Sequence, residues 1–162
     1  MTTIRRLKVG ESDLYKHLRL AALREAPYAF SSTYESALRR SFESWREQAD
    51  NSAQGSDRAT FIVFSANGPV GIAAIYRSAH NAESGEVIQV WISPENRGKH
   101  IGIALLDEVF KWAKENEFQE VEAKIIQGND RALRFYKKYG FKAIRTENNT
   151  GADEVVLVRK VT

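Results

Sequence analysis

The sequence predicts an α/β (α+β) fold around a mixed β-sheet, and three observations lead there. Apolar runs of strand length recur along the chain, and segments with helical spacing separate some of them. Asn67-Gly68-Pro69 lies between two such runs, Thr60 to Phe64 and Val70 to Tyr76, which reads as an antiparallel hairpin. The strand, helix and strand from Glu86 to Ile126 call for a parallel crossover.

Thr3 to Val9 alternates as a first strand, and Gly10-Glu11-Ser12-Asp13 supplies a turn and an N-cap. Leu14, Leu18 and Ala21 then follow at helical spacing and stop before Pro27. Ser32-Thr33-Tyr34-Glu35 reads as a capping box for a second helix that faces inward through Leu38, Phe42, Trp45 and Ala49. A polar loop, Asp50 to Asp57, leads into the hairpin. Glu86 to Ile92 is the next strand, and a helix of about fifteen residues follows through Leu105, Val109 and Trp112. Val121 to Ile126 is a strand and Asn129 to Tyr139 a helix. Phe141 to Thr146 and Glu154 to Val161 close the fold around Asn148-Asn149-Thr150-Gly151. Along one strand, period-two alternation puts Glu86, Ile88, Val90 and Ile92 on a shared face.

The chain of 162 residues is expected to form one domain, residues 1–162. It contains no cysteine, which excludes disulfides, thiolate metal sites and an acyl-cysteine intermediate. Apolar runs are too short for a membrane span and the start carries no signal-peptide pattern, so a cytoplasmic protein without a membrane partner is expected. The net charge of +3 is a weak argument for nucleic acid. Its one basic cluster, Arg131, Arg134, Lys137, Lys138 and Lys142, reads as a solvated helix face. Glu, Asp and His are too scattered for a metal site; His17 and His80 have no partner at ligand spacing.

Chemistry concentrates in two segments. The first is Arg97-Gly98-Lys99-His100-Ile101-Gly102, between a strand and a helix, where unpaired helix N–H groups can hold phosphate oxygens. It has neither P-loop nor dinucleotide-fold glycine spacing. The second is Asn129-Asp-Arg-Ala132-Leu-Arg-Phe135-Tyr136-Lys-Lys-Tyr-Gly140-Phe141.

Together these segments resemble the two signatures of the GNAT superfamily of acetyl-CoA-dependent N-acetyltransferases, in the right order and separated by one helix and one strand. Arg97 and Gly102 match the Arg/Gln-x-x-Gly-x-Gly/Ala pattern, while His100 stands where the pattern has its first glycine. A backbone N–H survives that change, and a helix start accepts any residue unless φ must be positive. The resemblance extends over nearly the whole chain. It implies a GNAT-like fold, a central mixed sheet of about seven strands flanked by four helices, with two splayed strands forming the gap for the cosubstrate.

By that resemblance, acetyl-CoA is held by strand backbone at Val90, Trp91 and Ile92, by the turn from Arg97 through Gly98, Lys99, His100, Ile101 and Gly102, and by Asn129 and Tyr136. Tyr136 is the expected general acid for the leaving thiolate, and Glu86 the expected base, with Glu83 as a weaker competitor. Tyr28, Phe30 and Ser31, with Ser32, Tyr34 and the Asn148–Gly151 turn, are expected beside the acceptor. The implied function is acetyl transfer to a primary amine of a small molecule or peptide, directly in a ternary complex and without a metal. A noncatalytic acyl-CoA-binding sensor or interaction module is the alternative, and a homodimer is left open. The sequence does not name the acceptor.

Overall fold

A computed structural model describes residues 1–30, 32–148 and 151–162. The expectations placed on Ser31, Asn149 and Thr150 therefore lie outside the described residues. Seven strands form one mixed sheet: β1 (Thr3–Arg6), β2 (Arg58–Ser65), β3 (Gly68–Arg77), β4 (Ser84–Ile92), β5 (Glu120–Ile126), β6 (Lys142–Glu147) and β7 (Glu154–Lys160). Their spatial order is β1-β2-β3-β4-β5-β7-β6. All neighbours are antiparallel except β4 and β5.

Five helices cover the two faces: α1 (Ser12–Glu25), α2 (Tyr34–Leu38), α3 (Phe42–Ser52), α4 (Ile101–Glu115) and α5 (Asp130–Lys138). On one face α4 and α5 bury Leu105, Val109, Phe110 and Tyr136 against Ile75, Val87, Val121 and Leu157. On the other, α1 and α3 bury Tyr15, Leu18, Leu23 and Trp45 against Ile62, Ile72 and Trp91. Both layers remove apolar side chains from water, the dominant favourable contribution to folding. No helix among the described residues is long and apolar enough to cross a membrane.

Several sequence expectations change here. The single helix expected across 34–49 is broken, because Ser41 caps a new helix by accepting from the Ser44 N–H at 3.1 Å. Its supposed inward stripe is split as well, leaving Leu38 and Phe42 exposed while Trp45 and Ala49 are buried. In α1 the buried stripe runs through Tyr15, Leu18, Arg19, Ala22 and Leu23 rather than Leu14 and Ala21. The expected N-cap is also modified: Glu11 turns back to bind Arg5 at 2.9 and 2.8 Å and the Lys8 N–H at 2.8 Å.

The strand β4 decides the site. Two steps along β3, Ala74 to Ile72, answer three along β4, Ile88 to Trp91. The extra residue is accommodated at a bulge where Gln89 takes φ +58°. A bulge reverses the face of every later side chain, so the expected shared face of Glu86, Ile88, Val90 and Ile92 does not exist. Glu86 and Ile88 lie on the α1 and α3 side with Trp91, whereas Val90 and Ile92 pack with Val87 on the α4 and α5 side.

Gly85, two residues before Val87, permits a close approach. A Cβ there would overlap the Phe118 ring and stand 3.0 Å from the Tyr76 carbonyl oxygen. Replacing Gly85 by Ala should therefore cost roughly 1–3 kcal/mol through overpacking. The check is urea unfolding, where the midpoint should fall with an unchanged slope; an unshifted midpoint would mean that Phe118 moves aside freely.

Candidate active site

Pairing between β4 and β5 runs from Ser84↔Glu120 to Val87↔Ala123 and then stops. Beyond that point β4 stays with β3, and β5 stays with β7 as far as Ile126↔Glu154. The strands part, and a cleft of about 290 Å³ opens between them. Tyr136, Ala132 and Asn129 of the α5 region line one side, and Arg19, Phe30 and Ser32 line the other. Backbone on the parted edges, around Val90 on one side and Lys124 to Ile126 on the other, lacks a strand partner across the gap. Buried peptide groups need partners, so an extended chain bearing amides fits there.

Glu86 sits at the point of divergence. It accepts a hydrogen bond of 2.6 Å from the Tyr76 hydroxyl. Burial raises its carboxyl above the usual value, against the opposing effects of the Tyr76 bond and the Lys124 charge; Glu122 and Glu154 push it further up. Glu83 lies instead in the exposed turn before β4 and takes no part in the cleft.

Tyr136 reaches the cleft from α5, with 5% of its surface exposed. Its hydroxyl has no hydrogen-bond partner among the described residues, and burial raises the phenol above its ordinary value. Asn129 begins the same helix, its Oδ1 accepting from the Ala132 N–H at 3.3 Å. That bond uses one end of the amide and leaves the Nδ2 donors for the cleft.

The turn before α4 forms a separate surface, and its residues do not line the cleft itself. No N–H from Gly98 to Ile103 has an acceptor among the described residues, so the turn retains the donors that an anionic group would use. Gly98 has φ +79°, and His100, the N-cap of α4, has φ +60°. The expected indifference of this position to residue type is thus overturned, since a non-glycine residue in the left-handed region costs about 1 kcal/mol. Histidine is among the residues that tolerate it better. Gly102 serves helix packing: a Cβ would approach the Phe135 ring to 3.1 Å.

Other expected residues are placed differently. The Arg97 guanidinium is engaged within the protein, its Nε donating to the Ile92 carbonyl at 2.9 Å and its Nη2 to Glu25 at 2.6 Å. Trp91 donates its indole N–H to the same Glu25 oxygen at 2.9 Å, so its ring turns away from the cleft. Burial opposes the Glu25 charge, but the bonds from Trp91 and Arg97 outweigh it and hold the carboxyl below its usual value. Tyr28 is 62% exposed and off the cleft wall, while Phe30 lies on it. His17 and His80 are exposed, as are all five residues of the basic cluster.

Polar residues of the cleft that the sequence reading missed include Arg19, Gln89 and Lys124, and it also missed Tyr76, which bonds Glu86 without lining the cleft. Arg19 left a signal, a charged residue on the helix stripe that includes Tyr15, Ala22 and Leu23. Gln89 left another as the polar interruption of an apolar run. Nothing in the local sequence marks Tyr76 as the partner of Glu86.

A mixed sheet whose parallel central pair divides beside a helix N-terminus defines the GNAT class of fold. The chain belongs to the acetyltransferase (GNAT) family, whose model matches residues 20–141. An uncharacterized N-acetyltransferase of Methanocaldococcus jannaschii is 32% identical over 91 residues, 53% of this chain and 40% of that protein; the match thus spans less than half of that relative's length. A GNAT-family acetyltransferase structure from Streptococcus pneumoniae superposes with a TM-score of 0.84 at 16% identity over 100% of both chains. The PaiA N-acetyltransferase of Thermoplasma acidophilum, solved in complex with coenzyme A, gives 0.75 at 24% identity over 99% of both chains. These likenesses establish the fold.

The Glu25 contacts generate a prediction. Arg97→Ala and Glu25→Ala should each destabilise, and a double-mutant cycle in urea should return a coupling of about 1–2 kcal/mol. Zero coupling would reduce the pair to an incidental surface contact.

Proposed function

We propose that this chain is an N-acetyltransferase that moves an acetyl group from acetyl-CoA to a primary amine of a small molecule or peptide, directly within a ternary complex. The observation that carries the reading is the convergence of Glu86 and Tyr136 on one cleft between parted strands. Acetyl-CoA, when bound, supplies an activated acetyl carbonyl. The unpaired strand edges at Val90 and at Lys124 to Ile126, with Asn129, suit its amide-bearing arm. Donors from Gly98 to Gly102 suit its phosphates, with Lys99 and His100 adding positive or polar side chains nearby. Trp91, Ile92 and Ile101 serve this site through backbone and packing, and Arg97 holds the turn in place.

Glu86 takes up the proton that the amine must lose, directly or through water, as the new C–N bond forms. Its raised pKa suits that role better than an ordinary carboxylate would. Tyr136 presents its phenol to the sulfur as the C–S bond breaks. Being raised, the phenol stays protonated, so it hydrogen-bonds the developing thiolate first and gives up its proton late, to be restored from solvent. The absence of cysteine is consistent with direct transfer rather than a covalent thioester on the protein. Phe30 and Ser32 face the acceptor side. The nature of the cosubstrate favours a cytoplasmic setting.

Free thiol release from acetyl-CoA in the presence of amines tests the reading, with no background from the protein itself. Tyr136→Phe should lower turnover by roughly 10- to 1,000-fold with acetyl-CoA affinity nearly unchanged. Wild-type turnover in that variant would reduce Tyr136 to packing. Tight acetyl-CoA binding with no thiol release for any amine would favour the sensor reading.

Glu86→Gln should flatten the acidic limb of the pH–rate profile, a limb that in the wild type lies above the ordinary carboxylate range. Stability provides an independent sign. A glutamate raised in the folded state stabilises below its unfolded pKa of about 4.3 and loses that contribution as pH rises through the folded value. The Gln variant should therefore melt at an equal or higher temperature than wild type near neutral pH, with the difference shrinking in acid. An unchanged rate profile would assign the base role elsewhere.

A further inference from the structure

Arg19 lies on the inward stripe of α1 with only 6% of its surface exposed, yet it makes no ion pair and no hydrogen bond among the described residues. Its Nη1 is screened from solvent without any acceptor. The Phe30 ring, 5.1 Å from the guanidinium carbon, stacks against it but accepts no conventional hydrogen bond. Burial lowers the guanidinium from its usual value and the nearby Arg40 charge lowers it too, with Tyr15 acting in the opposite sense; arginine nonetheless remains a cation. A buried charge without a partner is costly, and natural interiors rarely leave one in place. Arg19 lines the same cleft as Glu86, on the side formed by Phe30 and Ser32.

We propose that Arg19 binds a carboxylate on the acceptor, so that the substrate is an amine carrying a carboxyl group at its other end. The inference rests on the acetyl-transfer reading and names its substrate class. A guanidinium presents paired donors whose spacing matches the two oxygens of a carboxylate, which would satisfy Nη1 and replace the missing countercharge. Arg40, held over the Trp45 ring at 4.0 Å, adds positive potential to the same side. Glu86 provides the opposite pole. Arg19 and Glu86 both line this cleft of about 290 Å³ and no ion pair among the described residues joins them, so a zwitterion bound there meets a charge of each sign. Lys124 and Glu154 also face the cleft; Lys124 is engaged with Glu147 at 3.4 Å.

The test pairs amino acids and ω-amino acids of increasing length with their carboxamides, using thiol release at saturating acetyl-CoA and rates corrected for the unprotonated amine. The wild type should favour the acid over its amide by at least about tenfold in kcat/KM for one or more chain lengths. Arg19→Met should abolish that preference by lowering the acids alone, and Arg19→Lys should restore part of it. Melting of Arg19→Met should be no lower than wild type, since methionine fills the space without a buried charge. Equal wild-type use of acids and amides, or equal loss of both in Arg19→Met, would overturn the proposal while leaving acetyl transfer intact. If no amine in the panel releases thiol, the transfer reading fails for these acceptors, and calorimetry of the same acids with the coenzyme A-saturated protein decides the anion site. Binding lost in Arg19→Met supports it, and absence of binding to the wild type overturns it.

Discussion

The parting of β4 from β5 after Val87 and Ala123 is the constraint on which the cleft depends. A parallel pair in mid-sheet is ordinarily bonded along its full length, because unpaired backbone in an interior is expensive. Here each strand follows its outer neighbour instead. Extensive pairing of β4 with β3 and of β5 with β7 makes the separation tolerable, so the gap is sustained by what lies on either side of it. The bulge at Gln89 is part of the same arrangement: it re-aims β4 just as its bonds to β5 end. Tyr15 steadies that bulge by donating to the Gln89 side-chain oxygen at 3.0 Å.

The end of α1 is tied to the end of β4 through a single carboxylate. Glu25 accepts from Trp91 and Arg97, and Arg97 also donates to the Ile92 carbonyl. This links the cleft wall that carries Arg19 to the turn that opens α4. A charged residue in a turn that opens a helix is easily assigned to a ligand, but the geometry here engages the Arg97 side chain within the protein. The donors left facing outward are backbone N–H groups, which is why a histidine in the pattern's glycine position preserves them while adding strain at φ +60°.

Much of the fold was legible because it rests on periodicity and turn chemistry. The hairpin at Asn67-Gly68, the crossover through α4 and the cap at Asn129 each have a local signature, and each is present. The errors have a common physical origin. Period-two reasoning on β4 assumes an unbroken ladder, which a bulge at Gln89 violates without any obligatory residue such as glycine. A stripe drawn from Leu38 to Ala49 assumes one helix axis, whereas the Ser41 cap starts another. Side-chain partnerships across elements, such as Tyr76 with Glu86 or Arg97 with Glu25, depend on tertiary placement that no local window contains.

The residues that break the rules of a well-satisfied interior collect in one place. Glu86 is a carboxylate raised by burial, Tyr136 a phenol raised by burial on the wall of the cleft, and Arg19 a buried cation without a countercharge. Each would be more comfortable replaced by an apolar residue of similar size, as far as folding alone is concerned. Elsewhere among the described residues the one comparable case is the Trp45 indole N–H, a neutral donor covered by Arg40. Local inconsistency is expected at functional sites, where stability is given up for preorganised polar groups. Under the proposed reading the three also differ in sign and kind: a proton acceptor, a proton donor and a fixed positive charge. A reaction that removes a proton from one atom, supplies one to another and orients a charged substrate requires that combination. Packing requirements alone do not, because a core can be filled without any of them.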